Sequence, residues 1–426
     1  MKKIFVVSFI SVGYFLNAQS LGNSPYAKYG IGDVKYDNTI ETTSMGGIST
    51  AFISDFTSSF NFANPANNAN FELTSIKLEA TNENNYFKSN YNDTKSTKHS
   101  TYLSNISLAF PISSKIKMGI TYQPYSSKSY SIENKQTQKD GTVFQNDFKG
   151  SGTLNTAAVA LSYKINDQFN VGARANIYFG DLSDLTEFHA TNSEYINGYE
   201  TKNRIRNFNF TLGTSYQKLN PRTDKKLTIG ATATFGNTSN MTTEYINSTY
   251  RYANAAGDKI DVNEIENLKT KSKNLLPLQA SVGVGYGSEN HWFFSGQIDY
   301  KKGEDISYFG KSFSLQDTYR ISAGGWYLPN YNNFRSYFSR VIYRYGAFYE
   351  RGDLKLEGNS INKFGISAGV MLPFKNSSIT RMSGLEIGVE LGKRGTLQNN
   401  LINQNFINLK FGFNFADKWF RKALYN

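Results

Sequence analysis

The residues of this chain best suited to chemistry are few and scattered. Its three histidines are His99, His189 and His291, and no two have the spacing of zinc ligands. They fall at strand ends and in loops, and no Ser–Asp arrangement turns a neighbour into a nucleophile. Gly283-Val284-Gly285-Tyr286-Gly287 has the glycines of a dinucleotide loop, but it lies within an alternating segment instead of opening a helix. No catalytic residue, metal ligand or cofactor is therefore expected, and the chain reads as a non-enzyme. The polar residues with a pointed placement are charges set into otherwise apolar runs: Arg174, Arg344, Glu386, Glu390 and Lys410. In 382–394, Leu385, Ile387, Val389 and Leu391 share one face, with Glu386 and Glu390 on the other. A one-residue slip would turn both carboxylates into whatever the apolar face meets. If that is hydrocarbon, a midplane Arg or Lys costs about 2–4 kcal/mol and a carboxylate somewhat less. All five are therefore predicted to face a lumen, as a structural ion-pair ladder or as selectivity charges.

The elements that must position these charges are strands. In 406–415, Ile407, Leu409, Phe411, Phe413 and Phe415 alternate with Asn408, Lys410, Gly412 and Asn414. Such a two-residue period, apolar on one face and small or polar on the other, is that of a membrane-spanning barrel strand. Fourteen such runs follow residue 72: 74–87, 99–111, 115–130, 151–164, 168–188, 203–219, 225–245, 275–287, 291–303, 313–328, 339–352, 360–373, 382–394 and 403–416. Short connections, as at 111–115 and 288–290, alternate with longer polar ones, about thirty residues at 246–274. Outer-membrane barrels have short periplasmic turns, long outer loops and an even strand count, which puts both chain ends in the periplasm. No run reaches the ~18 apolar residues of a spanning helix. The 29 Tyr and 32 Phe suit aromatic girdles. Trp292, Tyr300 and Trp419 read as interface anchors.

The start of the chain points to export. Lys2 and Lys3 precede an apolar run, 4–16, and Ala18 offers a cleavage site, so 1–18 reads as a signal peptide. With no cysteine there is no lipoprotein anchor and no disulfide framework. Loss of Lys2 and Lys3 lowers the net charge from +12 to +10. The excess cations fall partly in segments that read as loops, 128–149 and 259–273. The partners expected for them are outer-membrane lipid and anionic lipopolysaccharide, not nucleic acid.

A barrel of about eight strands fills with its own side chains and one of 16–18 leaves a channel, so fourteen needs a plug. Residues 19–72, glycine-rich and without alternation, are the candidate, leaving 73–426 as the barrel. Within them stand Ser44-Met45-Gly46-Gly47-Ile48-Ser49-Thr50-Ala51, then Asp55, then Asn64-Pro65-Ala66. This resembles the N-terminal signature of FadL-like outer-membrane proteins, transporters of long-chain fatty acids and other hydrophobic compounds. Asn67-Asn68 stand where those transporters usually continue with Gly and an apolar residue. The resemblance implies an all-β, fourteen-stranded antiparallel transmembrane barrel with an N-terminal hatch, in a Gram-negative outer membrane. Gly46, Gly47, Asn64, Pro65 and Ala66 would form the hatch turns. Pro124 lies inside the third run, where it cannot donate to a ladder and marks a kink or bulge. In the family a kink in the third strand opens a lateral exit. The implied function is passive, hatch-gated transport of small hydrophobic, fatty-acid-like molecules. The alternative is an accessory subunit of an outer-membrane protein assembly or secretion complex, bound to other outer-membrane proteins. A lumen filled with charged pairs would favour the second.

Overall fold

A strand in hydrocarbon must pair both of its edges, and a ring of antiparallel strands is the arrangement that does so without leaving a rim. The computed structural model is such a ring. It describes residues 22–419 except 36–38, 57, 255–256, 309–310, 334 and 375–381, so the signal-peptide expectation for 1–18 lies outside the described residues.

Fourteen barrel strands follow in chain order: β1 Thr74–Ser89, β2 Lys95–Pro111, β3 Ile116–Ser127 continued by Tyr130–Thr137, β4 Val143–Lys164 and β5 Phe169–Ala190. Then come β6 Ile196–Asn220, β7 Lys225–Phe235 continued by Asn237–Tyr252, and β8 Lys259–Leu276 continued by Gln279–Ser288. The last six are β9 Trp292–Lys301, β10 Thr318–Tyr327, β11 Ile342–Arg351, β12 Lys363–Pro373, β13 Gly384–Gly395 and β14 Ile402–Asp417. Each pairs antiparallel with the next, and β14 returns to β1 from Asp417↔Thr74 to Ile402↔Ser89, closing the barrel. On β14 the apolar residues lie outward, Phe411 48% and Phe415 52% exposed, while Asn414 is buried.

The ring is lopsided. β6 has 25 residues, where about 9–11 span a bilayer, whereas β9, β10 and β11 have 10 each. The segments 128–149 and 246–274, expected to be loops, are largely strand, and they raise one side of the wall into a tall sheet. Sequence could not separate 259–271 from a loop because both of its faces are exposed, so no apolar alternation is required. The tenth strand begins at Thr318 and not at 313, because Lys311–Ser314 pairs with Asp305–Tyr308 in a separate hairpin. The twelfth begins at Lys363, since Asn359–Ser360 belongs to a second small hairpin.

Residues 22–72 run inside the ring. Among the described residues their regular elements are α1 Ile40–Thr43, two single-turn helices and a two-residue strand, Asp33–Val34. Wall glycines let this backbone come close: a Cβ at Gly346 would stand 2.2 Å from the Met45 carbonyl carbon and 2.3 Å from the Gly46 nitrogen. Gly346→Val is expected to unseat the hatch by about 1–3 kcal/mol of overpacking while the wall still closes. Heat-modifiable electrophoretic mobility should persist as chymotrypsin gains access to the hatch at Phe52, Phe56, Phe60 and Phe62. A variant as resistant as wild type would show that the hatch does not need this contact.

Candidate functional site

The hatch is held by the wall through charge. Thr39 Oγ1 accepts from Thr42 N at the start of α1, and the carboxylate of Glu79 on β1 accepts from Ile40 N at 3.2 Å. One residue on, Glu41 takes Arg344 Nη2 at 2.9 Å and Lys77 Nζ at 3.2 Å, and accepts the Ser59 hydroxyl. Glu386 lies 3.8 Å from both cations. All four charged groups of this clamp are buried. Burial alone would raise the Glu41 carboxyl, but Lys77 and Arg344 outweigh it and hold it down at about 2, below its ordinary 4.5.

After α1 the chain turns through Gly46 and Gly47 at φ +75° and +95°, open to glycine without strain. The turn is pinned by Gly46 N to Ser367 Oγ, 2.9 Å, and by Arg320 Nη2 to Gly46 O, 3.1 Å. Gln297 Oε1 accepts from Ser49 N and Thr50 N, both at 2.8 Å, and Asp55 pairs with Lys226. Asn64 caps the turn begun by Pro65 through Ala66 N, 3.1 Å, and donates to Thr50 O at 2.7 Å. Ala66 O accepts from Ser215 Oγ at 3.2 Å. Asn67 and Asn68, which depart from the transporter pattern, donate to Ser49 O and Thr50 O and to Asn61 O and Pro65 O, all at 2.9–3.0 Å. They sew the hatch to itself.

Of the five strand charges singled out by sequence, Arg344 and Glu386 sit in the clamp. Arg174 Nη1 donates to Phe62 O at 2.9 Å and Lys410 Nζ to Thr43 Oγ1 at 3.2 Å. Glu390 lies 3.7 Å from Lys363 and accepts from Asn408. Four of the five therefore meet the hatch or its clamp. The sequence reading missed Glu41, Lys77 and Glu79. The signal for the last two was the alternation Lys77, Glu79, Thr81 against Ile76, Leu78, Ala80; Glu41 had none, because the hatch has no period.

Apolar clusters stand towards both ends of the lumen. At the short-turn end Met45, Ile48, Phe52 and Phe56 pack with Phe293, Trp326, Leu328 and Tyr331. At the tall end Ile306 of the 305–314 hairpin closes on Tyr178, Leu182, Ile205 and Met241. Between hatch and hairpin lies a cavity of about 320 Å³ whose lining includes Lys35, Glu83, Glu350, Lys363, Glu390 and Lys410.

The wall parts beside Pro124. The β2–β3 ladder runs from Pro111↔Lys117 only to Ile106↔Tyr122. Pro124 faces Asn155 on β4 and Ser126 faces Leu154, so Tyr125 is a bulge. In place of β2, the hatch strand pairs with β3 as Asp33↔Ser127 and Val34↔Ser126, and Lys35 N donates to the bulged Tyr125 O at 2.7 Å. Asp33 is held by Arg394 at 2.6 Å, and Lys35 by Glu83 at 2.8 Å. Burial would raise Asp33, but Lys35 and Arg394 together keep it well below the usual carboxylate range.

A family model described as BamG matches residues 1–426. The chain belongs to the BamG family. Its fold is the FadL-like one, although the similar solved structures are distant in sequence. A Pseudomonas aeruginosa FadL homologue superposes with TM-score 0.62 at 12% identity, over 91% of this chain and 100% of that one. The Pseudomonas putida toluene transporter TodX gives 0.59 at 14% identity, over 91% and 99%. The CymD monoaromatic hydrocarbon channel gives 0.55 at 12%, over 91% and 98%. No curated protein matches the sequence. This BamG-family chain is thus a closed fourteen-stranded barrel of FadL-like fold, whose structural neighbours include a toluene transporter and a monoaromatic hydrocarbon channel.

Two outcomes follow from the clamp. Glu41→Gln leaves Lys77 and Arg344 with Glu386 at 3.8 Å in place of the closer Glu41 and is expected to cost hatch seating about 3–5 kcal/mol, read as faster proteolysis of the hatch in an intact barrel. Because Glu41 has a lower pKa folded than unfolded, its stabilisation is complete above pH 4.5 and disappears as pH falls through about 2. Hydrogen exchange of hatch amides, after correction for intrinsic rates, should accelerate as pH falls from 4.5 towards 2, and Glu41→Gln should remove that acid limb. An acid limb unchanged in Glu41→Gln would refute the assignment.

Proposed function

We propose that this barrel is a plugged structural subunit of an outer-membrane protein assembly. The observation that carries the reading is the lumen: apolar clusters pack the hatch against the wall, and the cavity beside it carries the pairs Lys35–Glu83, Arg320–Glu350 and Lys363–Glu390 in its lining. An apolar guest would gain about 25 cal/mol per Å² buried there, but would strip water from those charges, and desolvation of an ion costs several kcal/mol. With transport disfavoured inside, the surfaces left for function are the outer wall, the tall sheet and the turns. β14 ends at Asp417 on the short-turn side, which we place in the periplasm with the tall sheet outside; the first described residues do not follow the expectation for both ends, since Ser24 and Tyr26 meet Gln404 and Ile402 at the tall end.

A second reading is favoured by the parting at Pro124. There the cavity also touches Ile31, Tyr125, Ile306 and Leu315, an apolar side next to the place where the hatch strand substitutes for β2. Passage of a small hydrophobic molecule would run sideways through this seam once the hatch strand lifts, a gate set by Asp33, Lys35 and the Tyr125 bulge.

Purification of the full tagged chain from its own membranes in mild detergent distinguishes the two. Stoichiometric outer-membrane partners are expected, and a lone monomer would sink the subunit reading. For the second, Pro124→Ala should reduce uptake of a hydrophobic probe with barrel abundance unchanged; unaltered uptake removes the gate. Orientation is tested separately. The chain has no cysteine, so Lys139→Cys at the tip of the β3–β4 hairpin should react with an impermeant maleimide on intact cells.

A further inference from the structure

The outward side of the tall sheet carries cations in register. On β6, alternate residues facing away from the lumen read Lys202, Arg204, Arg206, Phe208, Phe210, Leu212. The column changes from cationic to apolar in one step. All six are exposed, Phe208, Phe210 and Leu212 at 55%, 52% and 49%. The neighbouring ladders extend the pattern: Lys202 faces Glu244, which faces Lys269, and Arg204 faces Thr242, which faces Lys271. With strands about 4.8 Å apart and same-face residues about 6.8 Å apart along a strand, five cations occupy a patch of roughly 10 by 14 Å.

Three carboxylates accompany them. Glu200 lies 3.4 Å from Lys202, Asp181 3.0 Å from Arg204 and Glu244 3.1 Å from Lys269. Five cations against three anions leave a surplus of two. Arg206 and Lys271 have no ion pair among the described residues, and the three existing pairs are exposed enough to exchange at little cost. Guanidinium forks bind phosphate oxygens in pairs, and long cationic side chains lay their stems on apolar surface while the heads stay in the polar layer.

We infer that this face docks the headgroup of a phosphorylated, multiply acylated glycolipid of the outer leaflet. Its phosphates lie on Lys202, Arg204, Arg206, Lys269 and Lys271, and its acyl chains run down Phe208, Phe210 and Leu212. The charge pattern complements a polyanionic headgroup, and the apolar column continues into the lipid-facing wall. The step from Arg206 to Phe208 sets the depth at which headgroup gives way to chain. The inference rests on the tall sheet being the outer side.

The test uses the full chain in nanodiscs of neutral phosphatidylcholine doped with either diphosphoryl or fully dephosphorylated lipid A, with retained lipid counted after delipidation. The wild type should keep the diphosphoryl form about tenfold or more over the dephosphorylated one, since each interfacial cation contributes about a fivefold preference for anionic lipid and the carboxylates cancel part of it. Lys202→Gln/Arg204→Gln/Arg206→Gln should bring that ratio to within about twofold, while Lys135→Gln/Lys139→Gln leaves it unchanged. Heat-modifiable mobility verifies that each variant is folded. Equal retention of both lipids by the wild type, or undiminished retention by the triple variant, overturns the inference. So does inorganic phosphate at millimolar concentration displacing the lipid completely, which would mark a bare anion site. A failed orientation is recognised independently, as Lys139→Cys labelled only from the periplasmic side.

Discussion

Every backbone amide and carbonyl that meets hydrocarbon must find its partner within the protein, and the architecture follows from that demand. Fourteen strands satisfy it by closing β14 on β1. The ring parts above Ile106–Tyr122, where β2 and β3 cease to pair. The chain answers with its own leading segment: Asp33 and Val34 take the vacated edge of β3, and Asp33 and Lys35 are locked by Arg394 and Glu83. The hatch is therefore part of the wall as well as a filling of the lumen. Its removal would expose a strand edge to lipid, which explains why so many buried ion pairs are committed to holding it.

Those ion pairs are a structural choice with a known penalty. A buried pair rarely stabilises more than a well-packed apolar substitute, but losing one partner is costly. Placing Glu41 between Lys77 and Arg344 makes the seating selective: the carboxylate has to arrive where two cations wait, and a shifted hatch would bury them uncompensated. The glycines of the wall act alongside, since Gly346 and its neighbours admit the hatch backbone at a distance that any side chain would forbid.

Where lipid enforces a pattern, the sequence could be read. The fourteen alternating runs correspond to the fourteen strands, because an outward Phe411 and an inward Lys410 cannot exchange places. Where water wets both faces, the signal vanishes: Lys259–Leu276 is as regular a strand as β14, yet its residues carry no apolar period and read as loop. The hatch was legible only at its punctuation, Gly46-Gly47 and Asn64-Pro65-Ala66. Its decisive residue, Glu41, is one acidic side chain among polar neighbours until α1 turns it towards β1 and β11. Asn67 and Asn68 looked like a departure from a transporter pattern; in the fold they are cross-stitches that stiffen the plug.

The anchoring of the hatch also orders assembly in time. Its contacts reach Lys77 near the start of the barrel and Ser367 and Lys410 near the end, so a segment that precedes every barrel strand finds its final seat only when the last ones are in place. The same segment pairs with the edge of β3 and bonds to β1 and β14, so its seat is complete only when β14 zips to β1. Barrel closure and plug seating are thus a single event, and a chain that closes without its leading segment has no easy way to put it back.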